Sequence, residues 1–373
     1  MSKHWISSEL SKNNRVLFIE PALWVAGLLR GKGSWRLDGV RMLHGYRKVQ
    51  DNLTVFTPRL WPFSARNGKT LHEAIAKMSA DAVEKCGFHE PILINFGTNP
   101  FLVKSINPKT SIYYCVDPAF PEPGEEEYER LTCLQSDLVY AISDAYEQRL
   151  AQFVPNDKIT VIPHGFPVVE AQAILADTDH ERPDELRDIH GPILGYAGSI
   201  HDSYVDIDLV ERIATEVPDV TIVMIGPYKD NPIGRNLSAE GLRKLQSIPN
   251  VRLLGYRHFN DLPNYVRYFD VALILHRMEK IGQEAKTQMR TPFKLLQYLS
   301  QGKPIITPPL FELFQIKEMI YIADSHDAYL DAIHSALKEN PVLRDRRMSY
   351  AREFSYQKIL DRIEAPIVAF EGI

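Results

Sequence analysis

Residues 291–307 read TPFKLLQYLSQGKPIIT and predict a helix that leads into a buried strand. Thr291 suits the N-cap of the helix, and Pro292 suits its first position, where no backbone donor is needed. Gly302 fits the position just past the helix end. Residues 304–307 then have the apolar composition of a buried strand. A helix followed by a buried strand is the repeating unit of an α/β protein.

The same helix carries polar residues near one face. Lys294 lies one turn beyond Thr291, and Gln297 follows three residues later, so the three side chains fall on the same side. A free helix N-terminus, a hydroxyl and a lysine suit a phosphate group, and Gln297 suits a sugar hydroxyl beyond it. The alternative is an ordinary helix that packs on a sheet, and local physics alone does not separate the two interpretations.

Size and composition indicate a two-domain globular protein. The chain has 373 residues, 45% of them hydrophobic and 24% charged, which is enough for two cores. The net charge of −5 gives no reason to expect nucleic acid binding. Three unpatterned cysteines predict neither a disulfide framework nor a zinc site. With no long apolar run or secretory signal, we expect a cytoplasmic protein.

Short apolar runs alternate with helical stretches along most of the chain, which indicates βαβ units and parallel sheets. The first series of predicted strands is 16–19, 53–56, 92–95, 112–115, 138–141 and 159–162. The second series is 193–197, 220–225, 251–254, 271–274, 304–307 and 319–322. A polar stretch separates them, so we predict a first domain at 1–167, a linker at 168–191 and a second domain at 192–345. Ligands of such folds bind at the carboxyl ends of the strands.

The segment 24–48 is basic and aromatic. The segment contains six basic side chains and a single acidic one, and Trp24 and Trp35 lie among or beside the basic residues. The basic residues are Arg30, Lys32, Arg36, Arg41, Arg47 and Lys48. Such a surface suits an anionic membrane, and a solvated helix is the competing interpretation. The chain also begins with a predicted helix at residues 3–12, where an α/β domain of this kind normally begins with a strand.

Two motifs resemble chemical sites, and we interpret both as structural. GLLRGKGS at 27–34 is one residue too short for a phosphate loop and lacks the strand-to-helix setting. Asp206 and Asp208, like Asp177 and Asp179, have the spacing of a metal-binding acid pair. Asp206 lies where a helix starts, so capping is the better interpretation and no metal site is predicted.

Several motifs in a fixed order resemble a known family. They are YYCVD (113–117), SDLVYAIS (136–143), VIPHG (161–165), GYAGS (195–199), IGP (225–227), NVRLLGY (250–256), the segment 291–304 and FSY (354–356). Together they resemble the retaining GT-B glycosyltransferases of the group 1, or family 4-like, class. The similarity is greatest to the bacterial polysaccharide-assembly branch, and it extends over nearly the whole chain from Val16.

The resemblance implies a GT-B fold, in which two Rossmann-like domains turn their parallel sheets toward a cleft and a helical tail, 346–373, packs back on the first domain. It implies transfer of a sugar from a UDP- or GDP-sugar to a glycan or lipid-linked glycan, with retention and without metal or cofactor. Peripheral membrane contact would run through 24–48. A nucleotide-sugar epimerase of the same fold and an inactive scaffold protein are the alternatives.

The resemblance also implies site residues. Asp117, His164 and Lys294 would act on the reacting groups, although Asp117 could simply shape a turn and His164 could simply bond backbone. The donor would be held by Gly198, Ser199, Gly226, Pro227, Tyr256, Arg257, Thr291, Lys294 and Gln297. Among these, Gly198 and Ser199 would let the backbone approach the phosphates, and Gly226, Pro227, Tyr256 and Arg257 would shape the base pocket. The chain departs from the family where Gln297 replaces the usual ribose-binding glutamate and Met289 replaces its companion acid.

Overall fold

The computed structural model divides the chain into two compact units. The first comprises residues 1–164 and 359–373, and the second comprises residues 165–358. The described residues are 2–24, 45–60, 68–116, 124–179, 181–229, 235–278 and 293–372. Most of the basic segment 24–48 lies outside them. None of the helices within these ranges combines the length and the apolar composition that crossing a bilayer requires.

The first unit contains two main sheets. One has the strand order β1-β4-β3, with β3 antiparallel, and the other is the parallel sheet β6-β7-β8-β9. The short strands β2 and β5 pair separately. Its elements are α1 (Ser2–Leu10), β1 (Val16–Ile19), β2 (Leu23–Trp24), β3 (Tyr46–Gln50), β4 (Leu53–Phe56), β5 (Arg59–Leu60), α2 (Gly68–Lys85), β6 (Ile92–Asn95), α3 (Phe101–Ile106), β7 (Thr110–Cys115), α4 (Glu125–Gln135), β8 (Leu138–Ala141), α5 (Asp144–Leu150) and β9 (Ile159–Val161).

An open seam, the space between β1 and β6, separates these two sheets. Within the described residues, β1 and β6 each have a partner strand on one side only. A cavity of about 1,070 Å³ runs along the seam and is lined by both strands and by parts of α1, α2 and the C-terminal helix. All four residues of β1 are only half-buried, whereas a strand inside a parallel sheet is normally covered on both faces.

The second unit is built on one continuous parallel sheet with the order β12-β11-β10-β13-β14-β15. Its elements are α6 (Val168–Ala176), β10 (Ile193–Ala197), α7 (Ile207–Glu216), β11 (Thr221–Ile225), α8 (Ala239–Gln246), β12 (Val251–Gly255), α9 (Leu262–Val266), β13 (Val271–Leu273), α10 (Phe293–Ser300), β14 (Ile305–Thr307), β15 (Tyr321–Ile322), α11 (His326–Ala336), α12 (Val342–Arg352) and the start of α13 (Tyr356–Glu371).

Strand β10 shows how the sequence produces this core. Every residue of β10 is buried, and alternate side chains point to opposite faces. Leu194 and Tyr196 join the cluster that includes residues of α7 and α11, whereas Ile193 and Ala197 join the cluster that includes residues of α10. A near-continuous apolar run therefore suits this strand, because helices cover both faces of the sheet.

Two stretches bear on the predicted boundaries. Where the sequence predicts a linker, at 168–191, the structure has α6, and Val168 and Ala171 of that helix are buried in the core of the second unit. In the C-terminal tail, α12 belongs to the second unit and most of α13 belongs to the first. Ile363 of α13 is buried, and its carbonyl accepts a hydrogen bond from the Tyr140 hydroxyl at 2.9 Å.

Candidate active site

Three loops follow the carboxyl ends of β10, β11 and β12 and are joined by backbone hydrogen bonds. These bonds run from Gly198 N to Ile225 O (2.8 Å), from Ile200 N to Pro227 O (3.0 Å) and from Gly226 N to Gly255 O (2.9 Å). The loops therefore form one rigid rim at the edge of the sheet where ligands of open α/β sheets bind.

Glycine is required at two positions of this rim. Gly198 has φ 154° and Gly226 has φ 150°, a region that other residues rarely adopt. A Cβ atom on Gly226 would lie 1.9 Å from the Gly198 carbonyl oxygen. The resemblance implies that Gly198 lets the backbone approach a phosphate and that Gly226 helps to shape the base pocket. The structure adds that Gly226 lets the second loop approach the first, whereas a side chain at position 198 would crowd Lys294 and Tyr196.

Lys294 places its amino group directly against this rim. The side chain extends from the first turn of α10, and Nζ donates a hydrogen bond to the Tyr196 hydroxyl at 3.1 Å. Nζ also lies 4.3 Å from the centre of the Tyr196 ring and 5.2 Å from that of Tyr204. A Cβ atom on Gly198 would approach Nζ to 2.9 Å. Aromatic rings of Tyr196 and Tyr204 thus hold the Lys294 amino group beside the first loop.

The surroundings of Lys294 disfavour its charge. Burial lowers the pKa of its ammonium group to about 7. The Tyr196 hydroxyl donates to the Ser199 carbonyl at 2.9 Å and accepts from Lys294, and burial raises the Tyr196 pKa, so this hydroxyl stays protonated. In this position an anion would restore the missing counter-charge. The site is therefore arranged to gain electrostatic energy when an anionic ligand enters.

Gln297 lies one turn further along α10 and is buried, with 3% of its surface exposed. Its side-chain Nε2 has no hydrogen-bond partner among the described residues. A buried amide of this kind normally has its donors satisfied. The structure thus places two polar side chains of the predicted phosphate helix, Lys294 and Gln297, in positions with unmet electrostatic or hydrogen-bonding demand.

Sequence reasoning missed His276 and the two tyrosines beside Lys294. His276 follows β13, has 3% of its surface exposed, and makes a tilted ring contact with Tyr204, with 4.0 Å between ring centres. Tyr196 is hidden within an apolar strand, where its hydroxyl gives no separate signal. A polar residue just after an apolar run was the one available clue for His276, because the carboxyl ends of parallel strands converge on the ligand.

The predicted base-pocket residues differ in their contacts. Tyr256 follows β12 and leaves 63% of its surface exposed. The Arg257 guanidinium pairs with Glu185, donates to the Tyr265 hydroxyl at 2.9 Å and donates to the Leu254 carbonyl at 2.7 Å. Arg257 therefore fixes the loop after β12 to the 3-10 turn Asp184–Leu186, which leaves Tyr256 as the accessible member of the pair.

The remaining predicted residues have separate locations. His164 follows β9 in the first unit and is half-buried. Asp117 and Thr291 lie outside the described residues, so their predicted roles stay predictions. Ser199 lies in the first loop of the rim, and its carbonyl accepts from Tyr196.

The interpretation of Asp206 as a helix cap is confirmed. Its Oδ1 accepts from the Leu209 backbone N–H at 2.9 Å at the start of α7, and its Oδ2 lies 2.9 Å from His326 Nε2. Asp208 instead pairs with Lys244 at 2.6 Å. Across the described ranges, no group of three or more histidine, cysteine, aspartate or glutamate side chains is placed to hold a metal ion.

Solved structures with two such units show the same architecture over nearly the whole chain. The chain has the GT-B fold. HepE from Anabaena, solved in complex with UDP and glucose, aligns with a TM-score of 0.62 at 12% identity, covering 97% of this chain and 100% of HepE. The sucrose-phosphate synthase from Thermosynechococcus elongatus aligns with a TM-score of 0.67 at 13% identity, covering 99% and 92%.

A third solved structure agrees with these two. The UDP-forming trehalose-phosphate synthase from Burkholderia xenovorans aligns with a TM-score of 0.64 at 15% identity, covering 94% of this chain and 98% of its own. No protein-family model and no curated protein sequence matches the chain. At these identities the likeness establishes the fold, and the activity has to be argued from the site.

Proposed function

We propose that this protein is a glycosyltransferase that moves a sugar from a nucleoside diphosphate sugar to a glycan or lipid-linked glycan in polysaccharide biosynthesis. The observation that carries the proposal is the Lys294 amino group, held against the glycine rim at the carboxyl edge of the second sheet. This is the place where an open α/β sheet binds its ligand. A UDP-sugar is the first candidate donor, since HepE binds UDP, and a GDP-sugar is the second.

Lys294 would perform the main catalytic task of such a reaction. When the bond between the anomeric carbon and the diphosphate breaks, negative charge grows on the phosphate oxygens, and stabilising that charge lowers the barrier. The approach of the diphosphate would raise the Lys294 pKa and charge the amine at the moment when a cation is useful. Thr291 and the start of α10 would add donors to the same phosphate, with Gly198 and Ser199 on its other side.

The remaining donor and acceptor contacts are proposed for the residues predicted from sequence. Gln297 would hold the ribose, and Gly226, Pro227, Tyr256 and Arg257 would form the base pocket. Asp117 and His164 would contact the sugar or the acceptor.

We further propose that transfer proceeds with retention and without a divalent metal. The departing diphosphate would take the acceptor proton, so the step needs no protein nucleophile. If EDTA abolished turnover and magnesium or manganese restored it, the metal-free proposal would be withdrawn. The stereochemistry of the product, read by NMR, tests retention.

The decisive experiment compares two buried lysines of the second unit. Burial lowers the pKa of Lys303 to about 8, and its amine donates to the Arg267 carbonyl at 2.7 Å. We expect Lys294→Met to weaken nucleoside diphosphate binding at least about tenfold, since hydrogen bonds to charged groups contribute roughly 1.5–3 kcal/mol. Lys303→Met removes a similar buried amine away from the rim and should leave the affinity unchanged. Calorimetric titration with UDP and GDP measures both.

Product analysis distinguishes the alternative functions. Purified protein is incubated with a panel of nucleotide sugars, with and without glycan acceptors, and the products are followed by mass spectrometry and chromatography. Acceptor-dependent release of nucleotide supports a transferase, and an epimerised nucleotide sugar identifies an epimerase. Binding without either product identifies an inactive family member with a scaffold role.

We also propose a cytoplasmic location with peripheral membrane contact through residues 24–48. Two basic side chains of that segment lie in β3 and are paired, Arg47 with Glu20 at 3.2 Å and Lys48 with Asp51 at 3.0 Å. The attraction would thus come chiefly from the other four, at about 1 kcal/mol each near an anionic surface. Co-sedimentation with anionic and neutral liposomes at low and high salt tests this, and equal recovery in all four supernatants would refute it.

A further inference from the structure

His276 is held in a fixed position at the edge of the candidate site. Its backbone forms an antiparallel bridge with Val205. On either side, Asp206 N donates to the Leu275 carbonyl at 2.9 Å and Arg277 N donates to the Tyr204 carbonyl at 3.0 Å. The segment that follows β13 is thereby attached to the loop that follows β10, and the backbone of His276 cannot move away without breaking these bonds.

The imidazole of His276 is buried without a hydrogen-bond partner. Neither Nδ1 nor Nε2 bonds to any of the described residues, although only 3% of the residue is exposed. Burial, and secondarily the nearby Lys294, lowers the His276 pKa well below its ordinary value, so the ring is neutral. A neutral imidazole has one N–H donor and one acceptor nitrogen. Each group left unpaired when buried costs about 1–3 kcal/mol.

A nucleoside diphosphate sugar offers the matching pair of groups. The linkage between the phosphate and the sugar places an acceptor, the phosphate oxygen, beside donors, the sugar hydroxyls. Lys294 can supply charge to the phosphate, but its ammonium has no acceptor for a hydroxyl. His276 supplies both functions, and Tyr204 links the two side chains. The centre of the Tyr204 ring lies 4.0 Å from that of His276 and 5.2 Å from Lys294 Nζ.

We propose that His276 is a donor-binding residue whose N–H contacts a phosphate oxygen and whose other ring nitrogen accepts a hydrogen bond from a hydroxyl of the transferred sugar. The proposal rests on the proposed function and adds to it a residue that recognises the sugar itself. His276 then selects donors that carry a hydroxyl within reach of the ring, whereas Lys294 recognises the diphosphate in any donor.

The test compares nucleotides with and without the sugar. His276→Leu keeps the approximate size of the side chain and removes both hydrogen bonds, so we expect it to weaken UDP-glucose or GDP-mannose binding roughly tenfold and UDP or GDP binding roughly threefold. His276→Asn retains one donor and one acceptor and should recover part of the loss. Lys294→Met should weaken the nucleotide and its sugar ester by the same factor. Calorimetric titration of the full chain gives all these ratios.

A matched control is available in the first unit. His72 likewise contacts a tyrosine ring, that of Tyr128, with 4.4 Å between ring centres. His72→Leu should leave the affinity for all four ligands unchanged. Thermal unfolding of each variant separates binding from folding. His276→Leu should not lower the melting temperature, because the imidazole has no hydrogen bond to the described part of the chain. If the melting temperature does fall, His276→Asn replaces His276→Leu in the binding comparison.

Three outcomes would overturn the inference. If His276→Leu binds both ligands as tightly as the wild type while Lys294→Met does not, the inference fails and the proposed function stands. If His276→Leu weakens the nucleotide and the nucleotide sugar equally, the sugar contact is wrong. If the wild-type protein binds none of the four ligands, the proposed function fails together with the inference.

Discussion

The two units use similar apolar strands and differ in how completely they cover them. In the second unit β10 has a partner on each side and every one of its residues is buried. In the first unit β1 has a described partner on one side only, and its VLFI sequence stays half-buried along the seam. The comparison shows that an apolar run predicts a strand, whereas the neighbouring strand determines how much of it is removed from water.

The two units also differ in how much free space surrounds their side chains. The second unit has so little free space that a Cβ atom on Gly195 would lie 2.0 Å from the Phe269 ring. The first unit contains a cavity of about 1,070 Å³. We therefore expect substitutions that add atoms to be costly in the second unit and tolerated in the first. The carboxyl edge of the second sheet is an exception to this expectation. There we expect buried polar groups without partners, rather than close packing, to limit the stability of the folded protein.

The largest expected effect is that of Gly195→Ala. The added methyl group would overlap the Phe269 ring in a close-packed core, so we expect a loss of about 3–5 kcal/mol or failure to fold. Gly87→Ala in the first unit is the control, because Gly87 has φ 67° and open space around its Cβ position. It should cost only the backbone strain of about 1–2 kcal/mol. Urea unfolding measures both, and equal losses would show that the second core is no tighter than the first unit.

The next effect is a change in the pH dependence of stability. The Lys294 pKa is about 7 in the folded protein and about 10.4 when unfolded, so between these values the unfolded chain binds more protons. Stability relative to Lys294→Met should therefore rise with pH across this window, by at most about 1.4 kcal/mol per pH unit. Below pH 7 the variant should be the more stable protein. If the stability difference between wild type and Lys294→Met does not depend on pH, the Lys294 amine is exposed to water and its pKa is not lowered.

A smaller effect concerns donor affinity. From pH 7 to 8 a nucleoside diphosphate sugar keeps one ionisation state, because its diphosphate is fully ionised and the uracil N3–H loses its proton only above about pH 9, so pH dependence in this range reports on the protein. We expect UDP-glucose affinity to fall as pH rises from 7 to 8, by up to about tenfold, because the free protein loses the Lys294 proton that the complex retains. Titrations of wild type and Lys294→Met at four pH values measure this. The variant should give a flat profile, and a parallel slope in both would assign the proton to another group.

The smallest effect tests the seam. Ser79 is buried on α2 and lines the cavity, and among the described residues its hydroxyl bonds only to the Ile75 carbonyl of its own helix. Ser79→Val adds apolar volume where space exists, so we expect a gain of up to about 1 kcal/mol. Ala272→Val adds two methyl groups to a fully buried strand of the second unit and should cost about 1–3 kcal/mol. A loss in both would mean that the first unit is as closely packed as the second.

The sequence predicted the strands well because their signal is local. Residues 16–19, 53–56, 92–95, 138–141 and 193–197 are strands with the predicted limits. Apolar runs bounded by polar or glycine residues specify such strands without reference to the rest of the chain. The seam gave no such signal, since pairing between β1 and β6 depends on how two distant segments dock. The stretch at 168–191 likewise contains a helix, α6, and its burial of Val168 and Ala171 in the second core depends on docking against distant segments.

The candidate site was predictable only in part. Lys294 was identified because a cap, a proline and a lysine at fixed spacing describe a phosphate-binding helix. Tyr196 and Tyr204 come from a strand and a loop whose local sequence does not indicate that they converge on Lys294, and for His276 the one clue is its place just after an apolar strand. The base-pocket role of Arg257 is implied by the family resemblance, and the structure adds an ion pair with Glu185 that a single sequence does not reveal.

The low pKa of Lys294 also makes its amine a target for selective covalent labelling. Because its pKa is lowered to about 7, a substantial fraction of its amine is unprotonated near neutral pH, compared with roughly one in a few thousand for an ordinary lysine. Only the unprotonated amine attacks an activated ester or an aldehyde, so Lys294 becomes a preferred nucleophile among the lysines of the chain. Covalent labelling at neutral pH should therefore mark the candidate site, and an anion bound there would protect it by returning the proton.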